Sequence, residues 1–138
     1  MTYELDDDPG RIQRDVVWEW LSTEAYWGRW RSRADLDAQL DSAWRLVGAY
    51  DENGALVAFA RAVSDGVAFA YLADVFVLRA HRGRGLGKRL MSRMIDEGPG
   101  RDFRWVLFTG DAHALYAQFG FEDPDSTAMV RRAAPRMR

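Results

Sequence analysis

The sequence predicts an α+β fold: a single mixed, mostly antiparallel β-sheet flanked by helices, in the order β-α-α-β-β-β-α-β-α-β. Three observations carry this. Apolar runs at residues 45–50 and 55–64 flank Asp51-Glu52-Asn53-Gly54, and Asn-Gly between such runs is a strong hairpin signal. A third run, residues 68–78, follows the turn pair Asp65-Gly66, and three consecutive strands favour antiparallel pairing. A helical pattern and a short apolar run at 105–109 then make a strand-helix-strand step, which crosses over right-handedly into parallel pairing. Residues 1–138 are one domain's length, and at 48 % hydrophobic the chain can bury a core.

Taken in order, residues 2–5 read as a short first strand, broken by Asp6-Asp7-Asp8-Pro9-Gly10. Through residues 11–22, Ile12, Val16, Val17, Trp20 and Leu21 repeat at helical spacing, with Trp18 off that stripe. The aromatic segment Tyr26-Trp27-Gly28-Arg29-Trp30 follows. Ser32 caps a second helix that carries Leu36 and Leu40 on one face. After the three central strands, Leu86, Leu90, Met91, Met94 and Ile95 define a third helix, ended by Gly98-Pro99-Gly100. Residues 112–119 form a fourth, with Ala112, Leu115 and Phe119 on one face and Gly120 as its stop. Residues 128–133 are expected as a last strand.

Composition excludes several function classes. There is no cysteine, so disulfides, thiolate metal sites and a cysteine nucleophile are ruled out. No apolar run approaches the roughly 18 residues that span a bilayer. The acidic start MTYELDDDPG is unlike a signal peptide, so a soluble, cytoplasmic protein without a membrane partner is expected. Net charge is −2, which gives nucleic acid no overall attraction. The distribution is uneven. Residues 1–69 hold 13 acidic and 7 basic groups, a net of −6; residues 70–138 hold 8 acidic and 12 basic, a net of +4. An anionic ligand favours the second half.

The strongest motif lies there. A long apolar strand runs into Arg82-Gly83-Arg84-Gly85-Leu86-Gly87-Lys88-Arg89, and an amphipathic helix continues from it. A helix start offers unpaired N–H groups and the positive end of a dipole. Glycines let backbone approach phosphate oxygens closely, and four basic side chains add charge. The pattern is neither a dinucleotide fingerprint, since its third glycine comes one residue early, nor a nucleotide-hydrolase loop, since no Ser or Thr follows Lys88.

Arg82-Gly83-Arg84-Gly85-Leu86-Gly87 resembles the signature of the GNAT superfamily of N-acetyltransferases: Gln or Arg, two residues, Gly, one residue, then Gly or Ala. Downstream, Ala114-Leu115-Tyr116-Ala117-Gln118-Phe119-Gly120-Phe121 resembles that family's A-L-Y-x-x-x-G-F segment. The order of the two motifs, their spacing of about 30 residues and the element order all fit. The resemblance covers residues 44–122 well and the first helices loosely. Arg79 and His81 depart from the proline and aromatic common at those places.

The resemblance implies acetyl-CoA as cosubstrate, no metal, and an amine acceptor. It implies that Arg82, Gly83, Arg84, Gly85, Leu86, Gly87 and Lys88 hold the pyrophosphate. It places the pantetheine arm along Val75, Phe76 and Val77, with a backbone N–H near Val77 polarising the thioester carbonyl. Tyr116 matches the tyrosine that protonates the departing thiolate. His113, three residues earlier on the same helical face, either packs or hydrogen-bonds, or relays a proton. Asp74 interrupts an apolar strand and is read as general base or amine anchor, or as the partner of an arginine, or as an outward-facing charge. Asp111 and a water chain are further candidates for the base. Tyr26, Trp27 and Trp30 are expected to wall the acceptor pocket. The leading reading is direct acetyl transfer to an amine, with homodimerisation left open; a non-catalytic CoA-binding sensor and a pure interaction module are the alternatives.

Overall fold

Short polar side chains shape the turns that set the sheet. Asp51 Oδ1 accepts the N–H groups of Asn53 and Ala55 at 2.9 and 3.0 Å, and Gly54 takes a φ of 78°. This closes the hairpin between β2 (Arg45–Tyr50) and β3 (Leu56–Ser64). Asp65 Oδ1 accepts from Val67, Ala68 and Phe69, turning the chain into β4 (Phe69–Val77). The computed structural model describes residues 2–25 and 30–134. Its sheet runs β1-β2-β3-β4-β5, with β1 at Glu4–Asp6 and β5 at Arg104–Val106. The first three pairings are antiparallel and β4–β5 is parallel, which is the mixed sheet expected from the sequence.

Helices cover both faces. Against one pack α1 (Arg14–Thr23) and α2 (Arg33–Ser42), burying Val17, Leu21, Leu36 and Leu40 against Leu46, Phe59 and Phe76. A capping box starts α2: Ser32 accepts the Asp35 N–H and Asp35 accepts the Ser32 N–H. Against the other face pack α3 (Leu86–Met91) and α4 (His113–Ala117). Leu86, Leu90, Met91, Met94 and Tyr116 meet Val47, Ala60 and Leu72 there. After Met91 the helix widens into a π turn, Ser92–Asp96. Arg45 donates to the Arg93 and Met94 carbonyls of that turn at 2.7 and 3.3 Å.

Several boundaries shift. The first strand begins at Glu4 rather than Thr2, and residues 9–11 form a 3-10 turn before α1, because Asp8 accepts the Gly10 N–H. The fifth strand ends at Val106 instead of running to Thr109. The last strand expected at 128–133 is absent: these residues are exposed and outside the sheet. With only three residues, β5 offers too short an edge for a further strand, and Arg131 and Arg132 favour solvent. Among the described residues no helix is long and apolar enough to cross a membrane.

Candidate active site

The glycine turn is built as an open cradle. Gly83 and Gly85 have φ of 77° and 78°, which L side chains rarely adopt. A Cβ added at either would meet nothing within 4 Å, so the space above the turn is free. Gly87 serves differently. Its Cβ would lie 3.4 Å from Leu115, so its small size lets α3 sit close to α4. The first helical bond runs from the Arg89 N–H to the Gly85 carbonyl at 3.1 Å, which leaves the N–H groups of Leu86, Gly87 and Lys88 ahead of it. The four cations divide. Arg82 Nε donates to the Val77 carbonyl at 3.0 Å and Arg89 donates to the Tyr3 carbonyl at 3.2 Å, bracing the turn. Arg84 and Lys88 are exposed and enter no ion pair among the described residues. His81 Nδ1 and the Tyr3 hydroxyl share a 2.8 Å hydrogen bond at its base.

Beside this turn β4 and β5 part. Their register holds only from Phe69↔Arg104 to Tyr71↔Val106, whereas β4 stays paired to β3 as far as Val77. Residues 72–77 therefore present one edge with no strand beside it. A bulge decides what that edge offers. Phe76 is opposite Phe59 and Ala73 opposite Arg61, so Asp74 and Val75 together face Ala60. Asp74 takes a φ of 55° to make room.

The added residue reverses the alternation of the strand. Below it, Ala68 accepts the Arg104 N–H, so the even-numbered residues point toward β5. Above it, the Leu78 N–H bonds the Val57 carbonyl on β3, so Leu78 and Phe76 point toward β3. Val77 and Val75 are left to point their N–H groups into the opening. Without the bulge that edge would carry Asp74 and Phe76 instead.

Asp74 itself faces the helices of the other core. Arg31 grips it with two bonds, Nη1 to Oδ2 at 2.9 Å and Nη2 to Oδ1 at 2.7 Å. Arg61 Nε adds a third, to Oδ2 at 2.9 Å. The side chains of Arg31, Arg61 and Asp74 are 2 %, 7 % and 3 % exposed. Burial pushes the Asp74 carboxyl up, but the two guanidiniums outweigh it and hold it below the ordinary range. The alternative of an arginine partner is thus what the structure displays, with two arginines rather than one. Reading the sequence missed Arg31 and Arg61. Arg61 carried a signal: like Asp74, it is a lone charge within an apolar strand, Val57-Ala58-Phe59-Ala60-Arg61-Ala62-Val63.

Tyr116 lies on the far side of the opening, 7 % exposed on α4. It belongs to the core cluster against which Val75 and Val77 pack, and its ring meets Phe121 edge-on at 5.9 Å. Burial raises its pKa above the ordinary phenol value and Asp111 adds to the rise, so the hydroxyl keeps its proton at neutral pH. Thr109 Oγ1 accepts the Ala112 N–H at 3.1 Å and steadies the entry to this helix. His113, the first residue of α4, is exposed instead of packed, and Asp111, ahead of that helix, is exposed too.

On the other face Trp30 is 41 % exposed, with the Arg31 guanidinium 5.3 Å from its ring centre. Tyr26 and Trp27 lie outside the described residues. A separate cleft of about 480 Å³ runs between α1 and the Leu56–Val57 and Leu78–Arg82 backbones. Trp20, one of its walls, stacks on Phe76 at 4.6 Å. This cleft touches the glycine turn only at its start.

The model of the acetyltransferase (GNAT) family matches residues 14–121. The chain belongs to the GNAT family. A crystal structure of a candidate GNAT acetyltransferase from Xanthomonas campestris pv. campestris is similar over 98 % of this chain and 95 % of that one, with 34 % identity and a TM-score of 0.90. A candidate acetyltransferase of Gibberella zeae is 26 % identical over 117 residues; the match spans 83 % of this chain and 64 % of that protein's length. A Clostridium acetobutylicum structure with acetyl-CoA shares the fold, with a TM-score of 0.68 at 16 % identity, over 94 % of this chain and 96 % of that one. Family and fold together support acetyl transfer as this GNAT chain's activity.

Proposed function

We propose that this chain transfers the acetyl group of acetyl-CoA directly to the nitrogen of an amine. The observation that carries the reading is the bulge beside the cradle. It turns the Val75 and Val77 N–H groups into an opening whose entrance is the glycine turn. The cradle suits a pyrophosphate: open space at Gly83 and Gly85, leading N–H groups at Leu86, Gly87 and Lys88, and the exposed cations Arg84 and Lys88. Arg82 supports the turn through the Val77 carbonyl. Phe76 points its backbone away from the opening and serves as packing beneath Trp20.

Bound acetyl-CoA supplies an activated thioester. The acceptor nitrogen forms the new C–N bond and the C–S bond breaks. Negative charge that grows on the carbonyl oxygen meets the Val77 N–H, with Val75 beside it. The protonated Tyr116 hydroxyl gives its proton to the leaving sulfur. Asp74 supports this reading as an anchor. A carboxylate held by three guanidinium bonds, with its acidity strengthened, is a poor proton acceptor. That leaves Asp111 or a water chain to take the proton of the acceptor amine. With no cysteine in the chain, an acyl-cysteine stage is excluded, which supports direct transfer. Trp30 stands on the acceptor side.

The test is a panel of primary amines with acetyl-CoA, read by release of free thiol and by mass spectrometry of the products. A gain of one acetyl group on a defined amine is expected. Acetyl-CoA should also raise the melting temperature by mass action. No thermal shift and no acetylated product across the panel would overturn the reading.

A further inference from the structure

One added residue in β4 decides which N–H groups face the opening, and a buried triad decides whether that residue stays in place. A φ of 55° is uncommon outside glycine, and although aspartate adopts it more readily than most residues, the bonds to its side chain decide how firmly Asp74 stays there. Arg61 reaches Asp74 from β3, the strand already paired with β4. Arg31 reaches it from outside the sheet, from the stretch between α1 and α2. Arg31 is itself fixed. Its Nη1 also donates to Gln39 on α2 at 2.7 Å, and the next residue, Ser32, is the cap of that helix. The two bonds to Asp74 are parallel and bidentate, the arrangement that specifies geometry as well as charge.

We propose that Arg31 is a positioning residue for acetyl transfer: through Asp74 it locks the bulge that turns the Val75 and Val77 N–H groups toward the acetyl carbonyl. This rests on the acetyl-CoA reading above. Its consequence is that the carbonyl-binding edge depends on a side chain from outside the sheet: Arg31, next to the Ser32 cap of α2, reaches that edge through Asp74. The cradle at Gly83–Lys88 lies outside this link and keeps its grip on the pyrophosphate.

The distinction gives a test that needs no acceptor. CoA and acetyl-CoA share the pyrophosphate, and only acetyl-CoA has the carbonyl. Wild type, Arg31→Gln, Arg31→Lys and the surface control Arg33→Gln are titrated with each by calorimetry, and the Val75 and Val77 amides are followed by ¹H–¹⁵N NMR. Arg31→Gln leaves a charge-balanced Asp74–Arg61 pair, so it is the variant expected to fold. Its acetyl-CoA affinity should fall about tenfold, the effect of losing one good hydrogen bond, while its CoA affinity stays unchanged. The two amides should move in the free protein. Arg31→Lys, with the charge but not the fork, should recover part of the loss, and it carries the test if Arg31→Gln does not fold. Equal acetyl-CoA affinity in wild type and Arg31→Gln, or an equal loss for both ligands, would overturn the proposal. If wild type binds neither ligand, the acetyl-CoA reading itself falls.

Discussion

Asp74→Asn isolates charge from shape, and the structure sets the size of the effect. The amide fits where the carboxylate was. It leaves the guanidiniums of Arg31 and Arg61, 2 % and 7 % exposed, without a compensating charge. Removing one partner of a buried ion pair costs about 3–5 kcal/mol. Against a total stability of about 5–15 kcal/mol, that is about a fifth or more. Asp37 is the control. It too faces two arginines, Arg14 at 3.2 Å and Arg33 at 3.4 Å, but all three side chains are 34–40 % exposed, where ion pairs contribute little. Urea unfolding followed by tryptophan fluorescence should show a large fall in midpoint for Asp74→Asn and almost none for Asp37→Asn. The pH dependence has a definite sign. The folded-state pKa of Asp74 is lowered, so its stabilisation is complete above the unfolded value, about 3.9, and is lost as pH falls through the folded value. The gap between wild type and Asp74→Asn should stay flat from neutral pH down to that range and close in stronger acid. Equal midpoints for the two variants would refute the reasoning.

Three other outcomes follow from the same geometry. Gly85→Asp should fold with modest strain, because aspartate tolerates positive φ and no atom lies near the new Cβ, yet lose most CoA affinity in calorimetry by placing a negative charge in the cradle. Tyr116→Phe should keep its melting temperature and acetyl-CoA affinity and lower kcat about 10²-fold, the lower end of general acid effects, when an amine confirmed as acceptor is the substrate and chemistry limits the rate. Tyr50→Phe should match or exceed wild-type stability, by up to about 1 kcal/mol, since the buried Tyr50 hydroxyl has no hydrogen-bond partner among the described residues.

Local chemistry made part of this molecule legible from its residues. The β2 boundaries, the Ser32 cap and the Asn-Gly hairpin depend on side chains within a few positions, so they could be read directly. The glycine turn was legible for the same reason, since positive φ is a property of the residue itself. The end of β5 and the missing strand at 128–133 depend on an edge elsewhere in the chain, which residue patterns do not report. The bulge was hidden because it is a matter of register: Tyr71-Leu72-Ala73-Asp74-Val75-Phe76 reads as unbroken strand until its pairing with Phe59 and Arg61 is known. Asp74 stood out as a charge in an apolar run, but its two arginines come 43 residues before it and 13 residues before it, a proximity that only the folded chain creates.

The brevity of the β4–β5 seam has a dynamic consequence. Three register pairs attach β5, and with it the chain that leads to α4, while β3 and β4 share a ladder running from Ser64–Ala70 to Ala58–Val77. Segments held by few ladder bonds detach at a lower free energy than the whole molecule unfolds. Like the equally short β1, the wall bearing Tyr116 should therefore fray before the centre of the sheet, and its amides should exchange with solvent deuterium well ahead of those in β3. Such breathing widens the groove from one side only, leaving the triad and the glycine turn in place. In the reaction proposed above, spent CoA would depart by a sideways relaxation of that wall, without any loop having to swing open.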